Sequence, residues 1–485
     1  MRRLRLLTTP LLALLLAAPP LAAQIGQDEY AARRDSVAER LGEGVLIAFG
    51  APSGDDYYFR LRQLPAFDYL TGYGEPDAAW VLVHDDAGVR HTLFTARPTV
   101  RTQLYNGFTE SPESLADRTG ATVRPRGELR AYVDSLAATG LPFFELRDIR
   151  SYDTAEADSI TLGGEFVAGL QARHPDLKVA DVHRHVAELR ARKSPAEVAL
   201  LREAIAITDE AHRTALRTIE PGMREYQVQA AIEATFRSHG AGLAFPGIVG
   251  SGPNSTTLHY VANDRRMEAG DVMVMDIGAH VEGYAADITR TVPVSGEFTA
   301  DQRAIYDLVL AAQKAAEAAA QPGGPAGASL RASLEVRLQG LAELGLIESP
   351  DATYDPPWPV DCDARPDQCL QGMLFMIHGI SHGIGLEVHD PAQFYFTGSY
   401  QPGDVFTIEP GIYIQASVLD LLEDTPKNRA FLAAVRETVA RYDDIGVRIE
   451  DDYLVTADGV ERLSAAPREV EAIEAAMAEG GGGSE

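Results

Sequence analysis

Two apolar, strand-like runs within residues 274–291, each containing one aspartate, constrain this chain most. Asp276 lies in the first run and Asp287 in the second. We predict an antiparallel hairpin with a two-residue turn at Val281 and Glu282, which places the aspartates opposite each other with Cβ atoms about 5 Å apart. Carboxylates that face each other among apolar neighbours repel unless a proton or a metal ion lies between them. The alternative, two surface aspartates paired with Lys or Arg, is disfavoured by the apolar flanks.

A second unusual segment is rich in histidine and glycine. Three of the twelve histidines, His378, His382 and His389, fall within twelve residues. A single histidine is most often structural, but clustered imidazoles are far more often metal ligands or acid–base groups. This segment is therefore a candidate part of the same site as the two aspartates.

Two glutamates in strand-like runs complete the pattern. Glu409 ends the apolar run 404–409, and Glu450 lies in the run 447–456. Arg448 shares the face of Glu450, because alternate residues of a strand point the same way. Each glutamate alone is more often a surface residue. Taken together, five side chains form one candidate ligand set: Asp276, Asp287, His382, Glu409 and Glu450.

The chemistry of this set predicts a particular class of metal site. Four carboxylates and one imidazole are hard, oxygen-rich ligands, too many for a single ion and unlike a thiolate zinc site. They suit two Mn²⁺-like ions, with Zn²⁺ or Co²⁺ as substitutes. Two ions roughly 3.5–4 Å apart can share carboxylates and activate a water molecule.

The pattern of secondary structure predicts two domains. Strand-like runs alternate with helical patterns such as 128–138 and 155–173, which is typical of an α/β domain. Ser194 and Glu197 form a capping box that starts a long helix at a domain boundary. We predict an α/β N-terminal domain at 24–185, a second domain of mixed helices and strands at 193–465, and a tail at 466–485.

The N-terminus predicts export. Residues 1–23 combine a basic start, an apolar stretch and a small-residue site at Ala22-Ala23, the layout of a signal peptide. We therefore expect a periplasmic or extracellular protein that lacks a membrane span. In such a compartment Cys362 and Cys369 are expected to form a loop-closing disulfide, rather than a metal or redox site, just before a strand predicted at 373–377.

Charge excludes two classes of partner. The chain has 43 Lys and Arg against 71 Asp and Glu, a formal net charge of −28. A balance this acidic disfavours electrostatic binding to nucleic acid and to anionic membranes.

The five ligand motifs, in this order and spacing, resemble the metal-dependent peptidases of the pita-bread fold, which include methionine aminopeptidase, prolidase and aminopeptidase P. The resemblance runs from about Ser194 to Thr456. Arg62-Gln63 and residues 69–76 resemble the start of the N-terminal domain of aminopeptidase P and prolidase, which methionine aminopeptidase lacks. The resemblance therefore implies an α/β N-terminal domain followed by an α+β pita-bread catalytic domain.

The same resemblance implies how the ligands are shared. Asp276, Asp287 and Glu450 would hold one ion. Asp287, His382, Glu409 and Glu450 would hold the other, so that Asp287 and Glu450 bridge the two ions.

Roles for the remaining residues also follow from the resemblance. His259 matches the family histidine that contacts substrate, and His389 matches the one that supports the tetrahedral intermediate. His378 matches a histidine near the proline pocket, and Arg448 resembles the arginine of the proline-specific members. Glu409 would also shuttle a proton.

The resulting expectation is an exported Xaa-Pro aminopeptidase, which releases the N-terminal residue from peptides with a penultimate proline. Prolidase, which demands a dipeptide, is the alternative within the family. A catalytically silent binding protein on the same fold is the alternative from another class; it predicts missing ligands, whereas all five are present. A homodimer is expected only by analogy with the family.

Overall fold

A computed structural model describes residues 24–53, 62–146 and 161–480. The predicted signal peptide lies outside the described residues, as do the start of the helix predicted at 155–173 and the last five residues of the predicted tail. Among the described residues, we find no helix that combines the length and the apolar character that a membrane span requires.

The N-terminal part is an α/β unit, as predicted. Its six strands form one sheet in the order β4-β3-β2-β1-β5-β6, with both antiparallel and parallel neighbours. The strands are β1 (Gly44–Phe49), β2 (Ala79–Asp85), β3 (Gly88–Thr95), β4 (Thr122–Pro125), β5 (Phe143–Leu146) and β6 (Val179–Asp181). The helices around it are α1 (Gln27–Leu41), α2 (Pro65–Thr71), α3 (Val100–Asn106), α4 (Pro112–Thr119), α5 (Leu129–Ala137) and α6 (Leu162–Arg173).

Helix α7 (His183–Arg190) connects this unit to the second one, which begins at the predicted capping box. The hydroxyl of Ser194 accepts a hydrogen bond from the backbone N–H of Glu197 at 3.2 Å, and the Glu197 carboxylate accepts one from the N–H of Ser194 at 2.9 Å. Pro195 occupies the first helical position, where no N–H is needed. These contacts satisfy the free amides at the start of the long helix α8 (Pro195–Thr218).

The second unit mixes helices with several small antiparallel sheets. Its other helices are α9 (Glu225–Ser238), α10 (Ala300–Ala319), α11 (Gly327–Glu343), α12 (Gln393–Thr397), α13 (Pro426–Arg441) and α14 (Val470–Gly480). Its strands are β7 (Gly242–Leu243), β8 (Ile248–Ser251), β9 (Val272–Ile277), β10 (Ala279–Val281), β11 (Tyr284–Ala285), β12 (Ile288–Pro293), β13 (Val405–Ile408), β14 (Gly411–Ile414), β15 (Ile445–Arg448), β16 (Asp451–Val455) and β17 (Val460–Arg462).

The two units share part of their hydrophobic core. One continuous buried cluster contains Trp80 of the N-terminal sheet, Leu200 of α8, Tyr284 of the aspartate hairpin and Leu386 of the histidine segment. Burying a large apolar side chain contributes about 1.5–3 kcal/mol. The N-terminal unit is therefore packed directly against the two segments that carry candidate ligands.

Within the segment 466–485, treated above as a tail, residues Val470–Gly480 form a helix. Helix α14 buries Val470, Ile473 and Met477 in the main core of the second unit. The prediction of a tail is wrong for this helix, because its apolar residues recur at helical spacing and cover α8.

The predicted disulfide joins Cys362 to Cys369. The predicted strand at 373–377 is wrong: residues Gln371–Leu374 form a short 3₁₀ helix instead. The disulfide loop is anchored by the N–H of Tyr354, which donates to the carbonyl of Cys369 at 3.0 Å.

Candidate metal centre

The aspartate hairpin forms with a register that differs from the predicted one. Asp276 lies opposite Thr289, and the turn residues are Glu282 and Gly283, with φ of 46° and 94°. The predicted turn at Val281 and Glu282 is wrong, because a tight hairpin turn favours positive φ at both central residues, which glycine adopts readily and the β-branched valine does not. Asp287 is two residues from Thr289 and so remains on the face of Asp276. The two aspartates are diagonal neighbours rather than directly opposed.

The candidate ligand His382 lies beside the strand that leads to Glu409. The N–H of Thr407 donates to the carbonyl of His382 at 2.9 Å, and the N–H of Glu409 donates to that of Ile380 at 2.8 Å. The Nδ1–H of His382 donates to the carbonyl of Gly383 at 3.1 Å. This hydrogen bond leaves Nε2 available as a ligand atom.

The imidazole of His382 faces three carboxylates. Its Nε2 lies 3.4 Å from Glu409 Oε1, 3.5 Å from Asp287 Oδ2 and 3.9 Å from Glu450 Oε1. One ligand atom from each of Asp287, His382 and Glu450 falls within 4.8 Å of the other two. This spacing allows the three side chains to bind one ion.

Burial shifts the protonation of these groups. It raises the pKa of Asp287 well above its ordinary value, and the charges of Glu450 and Asp276 add to that effect. Burial, together with Asp276, raises the pKa of Glu450 to about 8. Burial and the neighbouring His389 lower the pKa of His382 to about 3. The site therefore gathers carboxylates whose negative charge is unfavourable unless a proton or a cation binds, beside an imidazole held in the neutral form that can bind a metal.

Unpaired oxygen atoms test whether the residues fit metal ions. Asp276 Oδ1, Asp287 Oδ1 and Glu450 Oε1 are buried and have no hydrogen-bond partner. Buried acceptors are normally satisfied, so three such oxygens from residues that line one cavity fit a binding site for divalent cations. The donor set suits divalent cations that prefer oxygen.

Arg448 provides a positive charge at the site. Its guanidinium donates to Asp276 Oδ2 at 2.6 Å, to the hydroxyl of Tyr413 at 2.8 Å and to the hydroxyl of Thr289 at 3.2 Å. Thr289 in turn donates to Glu450 Oε2 at 2.7 Å. These contacts hold one oxygen of Asp276 and one of Glu450, and leave their other oxygens unpaired.

Tyr413 and Thr289 were missed by the sequence analysis. The Tyr413 hydroxyl lies 2.8 Å from His378 Nε2, and His378 Nδ1 lies 2.5 Å from the carbonyl of Gly379. The carbonyl of Gly379 can only accept, so Nδ1 of His378 carries the proton, and Nε2 of the neutral ring accepts a hydrogen bond from the Tyr413 hydroxyl. The sequence gives only a weak indication of both residues. Tyr413 lies four residues after Glu409 in the same motif, and Thr289 lies two residues after Asp287, so that both side chains point to the same face of the strand.

One cavity of about 480 Å³ collects all nine predicted site residues. The ring of His389 contacts that of His382, with centroids 4.4 Å apart and the planes tilted by 55°, and His378 Nδ1 lies 3.6 Å from Glu409 Oε2. The full predicted set lining the cavity is His259, Asp276, Asp287, His378, His382, His389, Glu409, Arg448 and Glu450.

A second cavity of about 490 Å³ adjoins the first and shares Asp276, Asp287, His259 and His389 with it. Its other walls are largely apolar and include two residues of the N-terminal unit, Arg62 and Pro65, as well as Phe245, Pro246, Ile248, Val261 and Val388. Asp276 and Asp287 thus line both a cavity with mostly polar residues and a cavity with largely apolar walls.

Comparison with known proteins identifies the same architecture. Residues 199–457 match metallopeptidase family M24, and residues 30–141 match the aminopeptidase P N-terminal domain. The Xaa-Pro aminopeptidase of Escherichia coli (strain K12) is 32% identical over 468 residues, covering 93% of this chain and 98% of the relative. The Xaa-Pro dipeptidase of Homo sapiens is 35% identical over 487 residues, covering 93% of each chain.

Solved structures agree with the sequence relatives. Zn-substituted E. coli aminopeptidase P in complex with product superimposes with a TM-score of 0.78 at 30% identity, covering 94% of this chain and 99% of that one. Proline aminopeptidase P II from Yersinia pestis gives a TM-score of 0.77 at 31% identity, covering 94% and 100%. The predicted fold class is confirmed. The chain belongs to metallopeptidase family M24 and is a hydrolase with a pita-bread catalytic domain behind an aminopeptidase P N-terminal domain.

Proposed function

We propose that the protein is an Xaa-Pro aminopeptidase that uses two divalent ions, most simply Mn²⁺. Asp276, Asp287 and Glu450 would hold one ion. Asp287, His382, Glu409 and Glu450 would hold the other. The observation that carries the proposal is the set of three unpaired, buried carboxylate oxygens on residues that line one cavity with the neutral imidazole of His382.

The bound ions would supply Lewis-acid activation of water and of the peptide carbonyl. The chain itself supplies the other parts. Glu409 lies between His378 and His382, where its carboxylate can take up and return a proton. His389 lines the cavity beside His382, where its ring can donate to the oxygen that becomes negative in the tetrahedral intermediate. His259, which lines both cavities, is placed to contact substrate.

The competing activity is that of prolidase, because a human Xaa-Pro dipeptidase is among the relatives. The two activities differ in whether the residue after proline is accepted. We expect an Xaa-Pro-Xaa tripeptide to be cleaved with a kcat/KM at least about tenfold above that of the matching Xaa-Pro dipeptide, a difference of ~1.4 kcal/mol in transition-state stabilisation. The measurement is release of the first amino acid from both peptides, with an Xaa-Ala-Xaa tripeptide as the control for proline dependence. Faster cleavage of the dipeptide would assign the protein to the prolidase activity.

We also infer that the protein is exported after removal of residues 1–23. The disulfide between Cys362 and Cys369 supports this inference, because disulfides persist in oxidising compartments. Unfolded, unreduced protein isolated from the periplasm should therefore contain no titratable thiol.

Removing this bridge should weaken the fold without affecting the metal centre. Closing so short a loop contributes about 2–3 kcal/mol at most, so Cys362→Ser should lower Tm by a few degrees. Metal content should be unchanged. The matched control is wild-type protein treated with reductant, which should show the same loss of Tm. Two free thiols in protein isolated from the periplasm would contradict the bridge.

A further inference from the structure

A buried ionic cluster lies next to the candidate metal centre and takes no part in the chemistry proposed above. Arg190 ends helix α7, and Lys193 follows three residues later in the connection between the two units. Both side chains pair with the carboxylate of Asp390, which directly follows His389 in the chain. The exposed fractions of these three side chains are only 2%, 1% and 2%.

Asp390 is held by charged donors on both of its oxygens. Oδ1 accepts from Arg190 Nη2, and Oδ2 accepts from Lys193 Nζ at 2.8 Å. Arg190 Nη2 also donates to Glu387 at 2.8 Å, and Lys193 Nζ donates to the carbonyl of Pro391 at 2.7 Å. Two cations thus balance two carboxylates. Although burial alone would raise the pKa of Asp390, Arg190 and Lys193 lower it below its ordinary value.

The same carboxylate closes the loop that carries the histidines. Asp390 Oδ1 accepts the backbone N–H of Glu387 at 3.1 Å, and the N–H of Asp390 donates to the carbonyl of Gly383 at 2.8 Å. A Cβ on Gly385 would collide with the Asp390 carboxylate and come within 2.9 Å of the Lys193 Cε. The loop from 383 to 390 is therefore folded tightly around the ionic cluster.

His382 and His389 lie at the two sides of this loop. His382 directly precedes Gly383, and His389 directly precedes Asp390. The hydrogen bond between Gly383 and Asp390 therefore affects the positions of both histidines. The carbonyl of Gly385, inside the loop, accepts the N–H of Ala285 at 2.8 Å, which links the loop to the hairpin that carries Asp287. A displacement of Asp390 would thus move His389, its neighbour in the chain, more directly than His382.

We propose that Asp390, anchored by Arg190 and Lys193, is a positioning residue that holds His389 in its catalytic place. Arg190 and Lys193, which lie where the two units connect, would thereby affect the catalytic step through the position of His389. This inference rests on the proposed function, because it takes from there the role of His389. Buried apolar residues often stabilise a fold as well as buried ion pairs do. The ion pairs of Asp390 therefore serve here to hold the loop from 383 to 390 in one conformation.

The test combines Asp390→Asn with His389→Ala. Asn keeps the shape of Asp390 but removes the charge that Arg190 and Lys193 hold. We expect Asp390→Asn to lower kcat for an Xaa-Pro-Xaa tripeptide by about 10–100-fold, because small misplacements of catalytic groups have effects of this size. KM and metal content should change by less than about threefold, since the carboxylates that would bind the ions are untouched. In the His389→Ala background, the same substitution should lower kcat by less than about twofold, because coupled residues are not additive.

The matched control is Asp209→Asn. Asp209 is also buried, and its carboxylate accepts the N–H groups of Ala465 and Ala466 at 2.7 Å each, away from the histidine loop. We expect it to lower Tm but leave kcat within about threefold of wild type. If Asp390→Asn does not fold, Lys193→Met tests the same anchor, because Arg190 still pairs with Asp390. An equal loss of kcat in the presence and absence of His389, or no loss at all, would overturn the proposal.

A readout without turnover separates this inference from the proposed function. In histidine-labelled protein, the NMR signal that disappears in His389→Ala identifies the His389 ring. We expect that signal to shift or broaden in Asp390→Asn and to stay unchanged in Asp209→Asn. An unchanged signal in Asp390→Asn refutes the positioning role. Failure of the wild-type enzyme to cleave Xaa-Pro peptides would instead refute the proposed function.

Discussion

Asp287→Asn is expected to abolish turnover while the fold stays intact. Asp287 would contribute to both ions, and Asn offers a neutral amide in place of the carboxylate. We expect kcat to fall by more than about 10³-fold, equivalent to ~4 kcal/mol of transition-state stabilisation. The fold should survive, because Asp287 Oδ1 has no hydrogen-bond partner and the backbone N–H keeps its bond to Asp452 at 3.2 Å. The measurements are kcat and metal content per chain.

Thermal unfolding of the metal-free protein distinguishes a ligand from a structural aspartate. Burial, together with the charges of Glu450 and Asp276, disfavours the ionised form of Asp287 and raises its pKa well above the ordinary value. We therefore expect Asp287→Asn to raise the Tm of the metal-free protein. The control is again Asp209→Asn, which should lower it because the carboxylate of Asp209 satisfies two backbone N–H groups. A kcat above about a tenth of wild type, a loss under ~1.4 kcal/mol, would contradict the bridging role of Asp287.

His389→Ala is expected to reduce catalysis strongly while metal binding persists. His389 lies outside the candidate ligand set, although its ring is only 4.4 Å from that of His382. Loss of one donor to the developing negative charge typically lowers kcat by about 10²–10³-fold. Metal content, measured by elemental analysis, should stay within about a factor of two of wild type, because all five candidate ligands remain.

The neighbouring histidine is the natural comparison. His382→Ala removes the imidazole that faces Asp287, Glu409 and Glu450, and we expect it to lower metal content as well as kcat. The two rings lie side by side, so general damage to the loop would affect both variants alike. A metal-free His389→Ala protein would show that His389 is itself a ligand and that its assigned role is wrong.

The local elements of this chain follow from short-range rules. The capping box at Ser194 and Glu197 starts α8 where predicted, because both hydrogen bonds form within a single turn. The apolar strands of the aspartate hairpin were also predicted correctly in type. The turn was misplaced because the strand pattern alone does not distinguish two neighbouring two-residue turns. The positive φ of Glu282 and Gly283 decides between them.

Helix α14 shows the same division between local pattern and tertiary packing. Its glycine-rich end resembles a flexible tail, yet Val470, Ile473 and Met477 lie on one helical face. Whether such a face is buried depends on an apolar partner, and α8 provides it from more than two hundred residues away. The sequence of the tail alone does not contain that partner.

By itself, the sequence determined the candidate ligands, their order along the chain, the strands that carry the aspartates and the pair of cysteines. Only the tertiary structure decided that Asp276 faces Thr289 and that Tyr413 joins Arg448 to His378. It also decided that Arg190 and Lys193 reach Asp390 across about two hundred residues. The physical reason is range: strand and helix patterns arise from neighbouring residues, whereas ion pairs and hydrogen bonds between distant segments exist only once the core has brought those segments together.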